Sequence, residues 1–264
     1  PGTNAIKGTP GSKYPGPLSL DEIPFQNEAL DVLQYGNPKE LMLQTFALEH
    51  ERDEVPAECM ILSLASRSVA NTNGLHVSVT GESGKGKSHT FTTLLQQVPE
   101  RLRLAGRMSN KALFYIENLQ PGSVIVFDDT TLSEDMAEIL KGVTTSFREP
   151  FLYRTVSKDR KGQTCSIPER CVWWVAKVEG AGDDQVFNRM LTCWIDESKE
   201  QDERVLARIL ARDQTPPDDR EQERPEILTC QALWEIVGNQ MFHVIIPFAS
   251  RIRFLAHENR RNPE

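Results

Sequence analysis

His76 to Phe91, HVSVTGESGKGKSHTF, sets three glycines and two lysines between a β-branched run and the opening of an amphipathic segment. From Gly81 to Ser88 it fits G-x-x-x-x-G-K-[ST], the phosphate-binding P-loop pattern. Gly81, Gly84 and Gly86 are free to take positive φ, which lets successive backbone N–H groups turn inward as an anion nest. Glu82, Ser83, Lys85 and His89 complete the run that would line a triphosphate. Lys87 adds a mobile charge for the β- and γ-phosphates, and Ser88 offers a hydroxyl to Mg²⁺ at a helix N-terminus, where the macrodipole also favours anions. ATP and Mg²⁺ are therefore the expected ligands. The competing reading is a Gly-rich turn in a linker. Context argues against it: Leu75 to Val79 (LHVSV) alternates like a strand, and Ser88 to Val98 reads as a helix with its apolar side at Phe91, Leu94, Leu95 and Val98.

A chain of 264 residues suits one large domain or a core with a small satellite. No stretch approaches the roughly 20 apolar residues that span a bilayer, and no basic then apolar leader opens the chain, so a soluble, cytoplasmic protein without a membrane partner is expected. The five cysteines are odd in number and lack C-x-x-C spacing, which points to reduced core thiols rather than a disulfide framework or zinc site. A net charge of −8 excludes a protein that coats nucleic acid with its whole surface, while leaving room for a local basic loop.

Pro1 to Leu20 is rich in Gly and Pro without apolar period, and residues 1–24 are expected to form a flexible arm. Two segments opening at Pro38 and Pro56 read as helices. Pro121-Gly122 makes a turn before the apolar run Val124 to Phe127, and Cys171 to Val178 and Met190 to Asp196 are further buried strands around a short helical DDQVFNR. Strands alternating with helices predict an α/β P-loop NTPase core with a parallel central sheet flanked by helices, over 25–197. Lys199 to Asp213 reads as a charged helix, and Ile227 to Glu258 as two more, so 198–264 is expected to be a small, truncated helical lid.

The strand Val124 to Phe127 ends in Asp128 and Asp129, about 40 residues after Ser88. Asp128 would hold Mg²⁺ and Asp129 would orient the attacking water; a solvated strand end is the alternative. FLYRTV and QTCSIP read as hairpin arms, with Lys158, Arg160 and Lys161 at the tip. Basic residues there suit a nucleic acid backbone, although hairpin tips are charged in many proteins. Trp173 and Trp174, inside an apolar strand, read as core. His76, His89 and His243 lack metal-ligand spacing.

The order of phosphate loop, VIVFDD, basic hairpin and DDQVFNRMLTCWIDESKEQDERVLARIL resembles AAA+ replicative helicases, especially the minichromosome-maintenance-like and superfamily 3-like helicases of mobile genetic elements, from about Leu75 to Ala211. The resemblance implies an ATPase acting as a DNA helicase, assembled as a homo-oligomeric ring, a hexamer. It implies single-stranded or forked DNA as partner, with a primase or other replication proteins nearby. Lys158, Arg160 and Lys161 then fall on the hairpin that grips DNA in the ring channel. Arg189, in NRML, falls where the family's arginine reaches the neighbouring subunit's γ-phosphate; the simpler reading is a surface arginine paired with Asp183 or Asp184.

The sequence departs from that pattern where the family's sensor strand ends in Asn, because WWVAKVEG offers only Lys177, as a substitute or a strand cap. Asp129 stands where the minichromosome maintenance proteins carry Glu. The second sensor arginine is left open between Arg251 and Arg253. Two other functions compete: an ATP-dependent loader or scaffold that assembles without unwinding DNA, and a small-molecule phosphotransferase, which gives no reason for the basic hairpin.

Overall fold

The computed structural model describes residues 18–104, 113, 116, 119–128, 132–156, 162–177, 184–214 and 224–251. Along the chain come α1 (Gln26–Tyr35), α2 (Pro38–Ala47), α3 (Glu54–Ser66), β1 (Val77–Thr80), α4 (Lys87–Leu95), β2 (Arg103–Leu104) and β3 (Val124–Phe127). They are followed by α5 (Glu134–Val143), β4 (Phe151–Val156), β5 (Gly162–Ile167), β6 (Val172–Lys177), α6 (Asp184–Phe187), β7 (Leu191–Trp194), α7 (Lys199–Asp213) and α8 (Pro225–Gly238). Five strands form one sheet in the order β2-β3-β6-β1-β7, and every pairing in it is parallel. The sequence dictates this packing: β1 and β3 are short runs buried at every position, which only a sheet covered by helices on both faces accommodates.

Alternation along the strands sorts side chains into two cores. Val124 and Val126 of β3 and Val172 and Trp174 of β6 join the core made with α1 to α4 and α8. Ile125, Phe127, Trp173 and Val175 face the other way, toward α5, α6 and the hairpin. Both tryptophans are fully buried; Trp173 stacks on Phe127 and Trp174 on Phe91. The hairpin β4-β5 pairs antiparallel from Phe151↔Ile167 to Val156↔Gly162, and forms a separate two-stranded sheet. It is inserted in sequence between β3 and β6, which are hydrogen-bonded neighbours.

Three expectations about boundaries need correction. Residues 18–24 belong to the body rather than to an arm: Ile23 is buried, Leu18 packs on the same core, and Asn239 Nδ2 donates to Leu18 O at 3.0 Å. The remainder of the expected arm, 1–17, lies outside the described residues. Within 198–264, α8 is no separate lid, because Cys230, Ala232, Leu233, Trp234 and Ile236 are buried in the core that holds Ala29, Met42 and Phe46. Finally, the helix expected after α8 does not begin within 239–248; Ala249–Arg251 form a single 3-10 turn, and the rest of that expected helix, 252–258, lies outside the described residues. Phe242 instead bridges Val69 in parallel, with Ala70 N–H donating to Phe242 O at 2.7 Å; the β-branched run Val244 to Ile246 favours that extended backbone.

Candidate nucleotide site

The loop after β1 sits at the carboxyl edge of the sheet, between β6 and β7. Gly81 N–H donates to Lys177 O at 3.2 Å, and Ile195 N–H to Thr80 O at 3.2 Å. Gly84 and Gly86 adopt φ of +83° and +103°, and Gly86 is the N-cap of α4, so the chain enters the helix through two left-handed residues. Gly81 does not share this conformation. It is needed for space: a Cβ there would lie 2.5 Å from Ile195 Cγ1 and 2.9 Å from Glu197 Oε1. Lys87 is buried, its ammonium donating to Gly81 O at 2.7 Å and Glu82 O at 2.6 Å. Ser88 is exposed in the first turn of α4.

Carboxylates from distant segments brace this loop. Glu197 Oε1 accepts the Glu82 N–H at 2.5 Å, and Lys85 Nζ donates to Asp202 Oδ2 at 2.7 Å, which raises the Lys85 pKa. Behind His89, the Nδ1 atoms of His50 and His89 lie 2.8 Å apart and His50 Nε2 is 2.8 Å from Asp53 Oδ2. Burial, then the neighbouring His50, holds the His89 pKa below its ordinary value. Arg52 and Asp53 both take left-handed φ, a strain of about 1 kcal/mol or more each for residues with a Cβ. Two bonds fix it: Asp53 Oδ1 accepts the Asp196 N–H at 2.7 Å, and Arg52 reaches Asp196 Oδ2 at 2.5 Å. Hydrogen bonds from Ser198, and then from Arg52, hold the Asp196 carboxyl down at about 2.

Asp128 follows β3 two strands from the loop strand, about 10 Å across the sheet, and two residues beyond Val126 on the α4 side. Ser88 and Asp128 supply hard oxygen donors, and Mg²⁺ commonly takes only one or two of these from protein. No cluster of three or more His, Cys, Asp or Glu suited to a metal occurs among the described residues. Lys177 ends β6 level with Thr80, its ammonium 4.4 Å above the Phe187 ring. Arg189 is exposed and donates to Lys141 O at 2.7 Å and Thr145 Oγ1 at 3.1 Å, at the end of α5. It lies just before Leu191, which pairs with Val77, so four strand residues, about 13 Å, separate it from its own loop. Asp183 and the Asp184 side chain, its expected partners, lie outside the described residues, as do Asp129, Lys158, Arg160, Lys161 and Arg253. Arg251 is exposed.

Residues 22–240 match the MTBMA_p00010 P-loop domain family. The chain belongs to that family. It is similar to a protein of Methanothermobacter marburgensis named uncharacterized protein MTBMA_p00010, at 23% identity over 198 residues, 72% of this chain and 24% of that protein. The chain thus spans about a quarter of the relative's length. Membership and geometry agree on a P-loop nucleotide-binding domain. Reading the sequence missed Glu197, Asp202, Asp196, Asp53, Arg52 and His50. A signal for part of the set was present in WIDES, where β7 ends in carboxylates as β3 does.

Proposed function

We propose that this chain is the AAA+-type motor of an ATP-hydrolysing ring, expected to be hexameric, that moves single-stranded or forked DNA in replication of a plasmid, phage or genomic island. Lys87 and the loop amides hold the phosphates, Ser88 and Asp128 hold Mg²⁺, and Asp129 orients water. Bound magnesium would neutralise phosphate charge. Lys177 takes the sensor position. Arg189 sits too far from its own loop to serve it, which supports a role on a neighbour's phosphate, where such an arginine is worth about 10³-fold or more.

The observation that carries this reading is the hairpin's attachment. Tyr153 of β4 donates its hydroxyl to Asp135 at 2.7 Å, in the first turn of the helix that follows the Asp128 strand. The helix that follows the Asp128 strand is therefore tied directly to β4, the strand that precedes the basic residues in sequence. The test is ATPase rate against protein concentration, with and without single-stranded DNA. Wild type should accelerate with both, Lys87→Ala should be inactive, and Lys158→Ala/Lys161→Ala should lose only the DNA response. Equal turnover by dilute monomer and concentrated protein, indifferent to DNA, would sink the proposal. A second reading, an ATP-dependent loader or scaffold, is favoured by the exposed apolar side chains Val205, Leu206, Ile209 and Leu210 on α7; assembly on ATP without DNA affinity would select it.

A further inference from the structure

The segment Ile195–Ser198 crosses the phosphate loop and delivers α7, a helix of 15 residues of which only Gln201 is buried. Its apolar side chains do not anchor it, since Val205, Leu206, Ile209 and Leu210 are all exposed. Polar contacts hold it instead. Gln201 Nε2 donates to Glu51 O at 2.6 Å, Arg208 donates to Ala47 O at 2.9 Å and Leu48 O at 2.8 Å, and Arg208 pairs with Glu51 at 3.1 Å. Two further contacts are made to the phosphate loop: Asp202 to the Lys85 ammonium, and Glu197, at the base of the helix, to the Glu82 amide.

Lys85 lies between Gly84 and Gly86, within the turn whose amides would surround a phosphate. Its ammonium now serves a carboxylate on α7. A polyphosphate in the loop would carry more negative charge than that carboxylate and would be fixed in place by the surrounding N–H groups. The Lys85–Asp202 pair is solvent-accessible on both sides, at 26% and 54% side-chain exposure, so it is screened and weak. The stronger anion wins the lysine. A helix held by a few polar contacts then loses one of them, and local stability of such an element is low from the outset.

We propose that Asp202 and Glu197 make α7 a strap over the phosphate loop, with Asp202 holding Lys85 in competition with nucleotide phosphate, so that nucleotide binding loosens α7. This rests on the reading of the loop as a nucleotide site. Asp202 is thereby a positioning residue for Lys85. It also links occupancy of the loop to the helix carrying the exposed apolar stripe.

The experiment is amide hydrogen exchange over Lys199–Asp213 in the full chain, with and without Mg²⁺ and a slowly hydrolysed ATP analogue, for wild type, Asp202→Asn and Glu203→Gln. Glu203 lies on the same helix and removes an equal charge without pairing with Lys85. In wild type the analogue should speed exchange across α7 several-fold. Asp202→Asn should exchange fast without analogue, respond little to it, and bind it roughly two- to five-fold tighter. Glu203→Gln should keep the wild-type response. Binding of analogue to wild type with no change in α7 exchange overturns this proposal alone, as does equal tightening by Glu203→Gln and Asp202→Asn. Absence of analogue binding by wild type overturns the nucleotide reading itself and this inference with it.

Discussion

His76, one residue before β1, makes stability depend on pH in a calculable way. The ring is 2% exposed, meets Phe147 edge-on with centroids 5.9 Å apart, and accepts the Trp173 N–H at Nδ1 across 3.3 Å. Its proton therefore sits on Nε2, which is buried without a hydrogen-bond partner. Burial pushes the pKa down from 6.5 to about 4. Between those values the unfolded chain binds more protons than the folded one, so stability rises with pH. The contribution is complete above 6.5 and is lost as pH falls toward 4. At about 1.4 kcal/mol per unit the whole shift is worth about 3 kcal/mol, and going from pH 7 to pH 5 removes about 2 kcal/mol. Urea denaturation of wild type and His76→Gln at pH 7, 6 and 5 reads this directly, since glutamine keeps an acceptor for Trp173 but does not titrate. The gap between the two proteins should shrink by about 2 kcal/mol from pH 7 to pH 5. Parallel pH profiles would refute the assignment of that dependence to His76.

Two further outcomes follow from packing. Gly81→Ala places a methyl 2.5 Å from Ile195 Cγ1, which should cost about 1–3 kcal/mol in thermal unfolding and weaken nucleotide binding. Adding Ile195→Ala removes the clashing atom and should recover part of the binding, so no recovery would mean that the glycine matters for another reason. Arg101 grips Glu235 through two nitrogens, with the carboxylate side chain only 7% exposed. Arg101→Met strands that charge and should cost about 3 kcal/mol or more in urea, whereas Arg101→Met/Glu235→Leu should restore most of it. An equal loss in the double variant would contradict the stranded-charge account.

The phosphate loop, the acidic strand end, the hairpin arms and α7 were legible because each is specified by residues within one short window. A β-branched run, a Gly-Lys-Ser turn or a period of 3.6 needs no partner to be recognised. The hairpin arm Phe151–Val156 and the helix Lys199–Asp213 coincide with the segments read from pattern alone. Where two conformations had similar local support, pattern failed. Val244 to Ile246 is apolar enough for a helix face, yet its neighbour Phe242 pairs with Val69, a residue far earlier in the chain. The G-x-x-x-x-G-K pattern suggests a conformational role for Gly81, but its reason lies in Ile195, which only the sheet order β6-β1-β7 brings beside it.

By itself the sequence determined a strand, a phosphate-binding turn and a helix in succession, and a second strand ending in carboxylates. Tertiary structure alone decided what stands around them. The bonds from Glu82 to Glu197 and from Lys85 to Asp202 join positions 115 and 117 residues apart. His50, Asp53 and Asp196 meet only because α3 and β7 pack together. It alone also set Arg189 at the far edge of the sheet from its own loop. The physical reason is that side-chain period and turn chemistry act over a few residues, while strand order follows from burying both faces of the whole sheet at once.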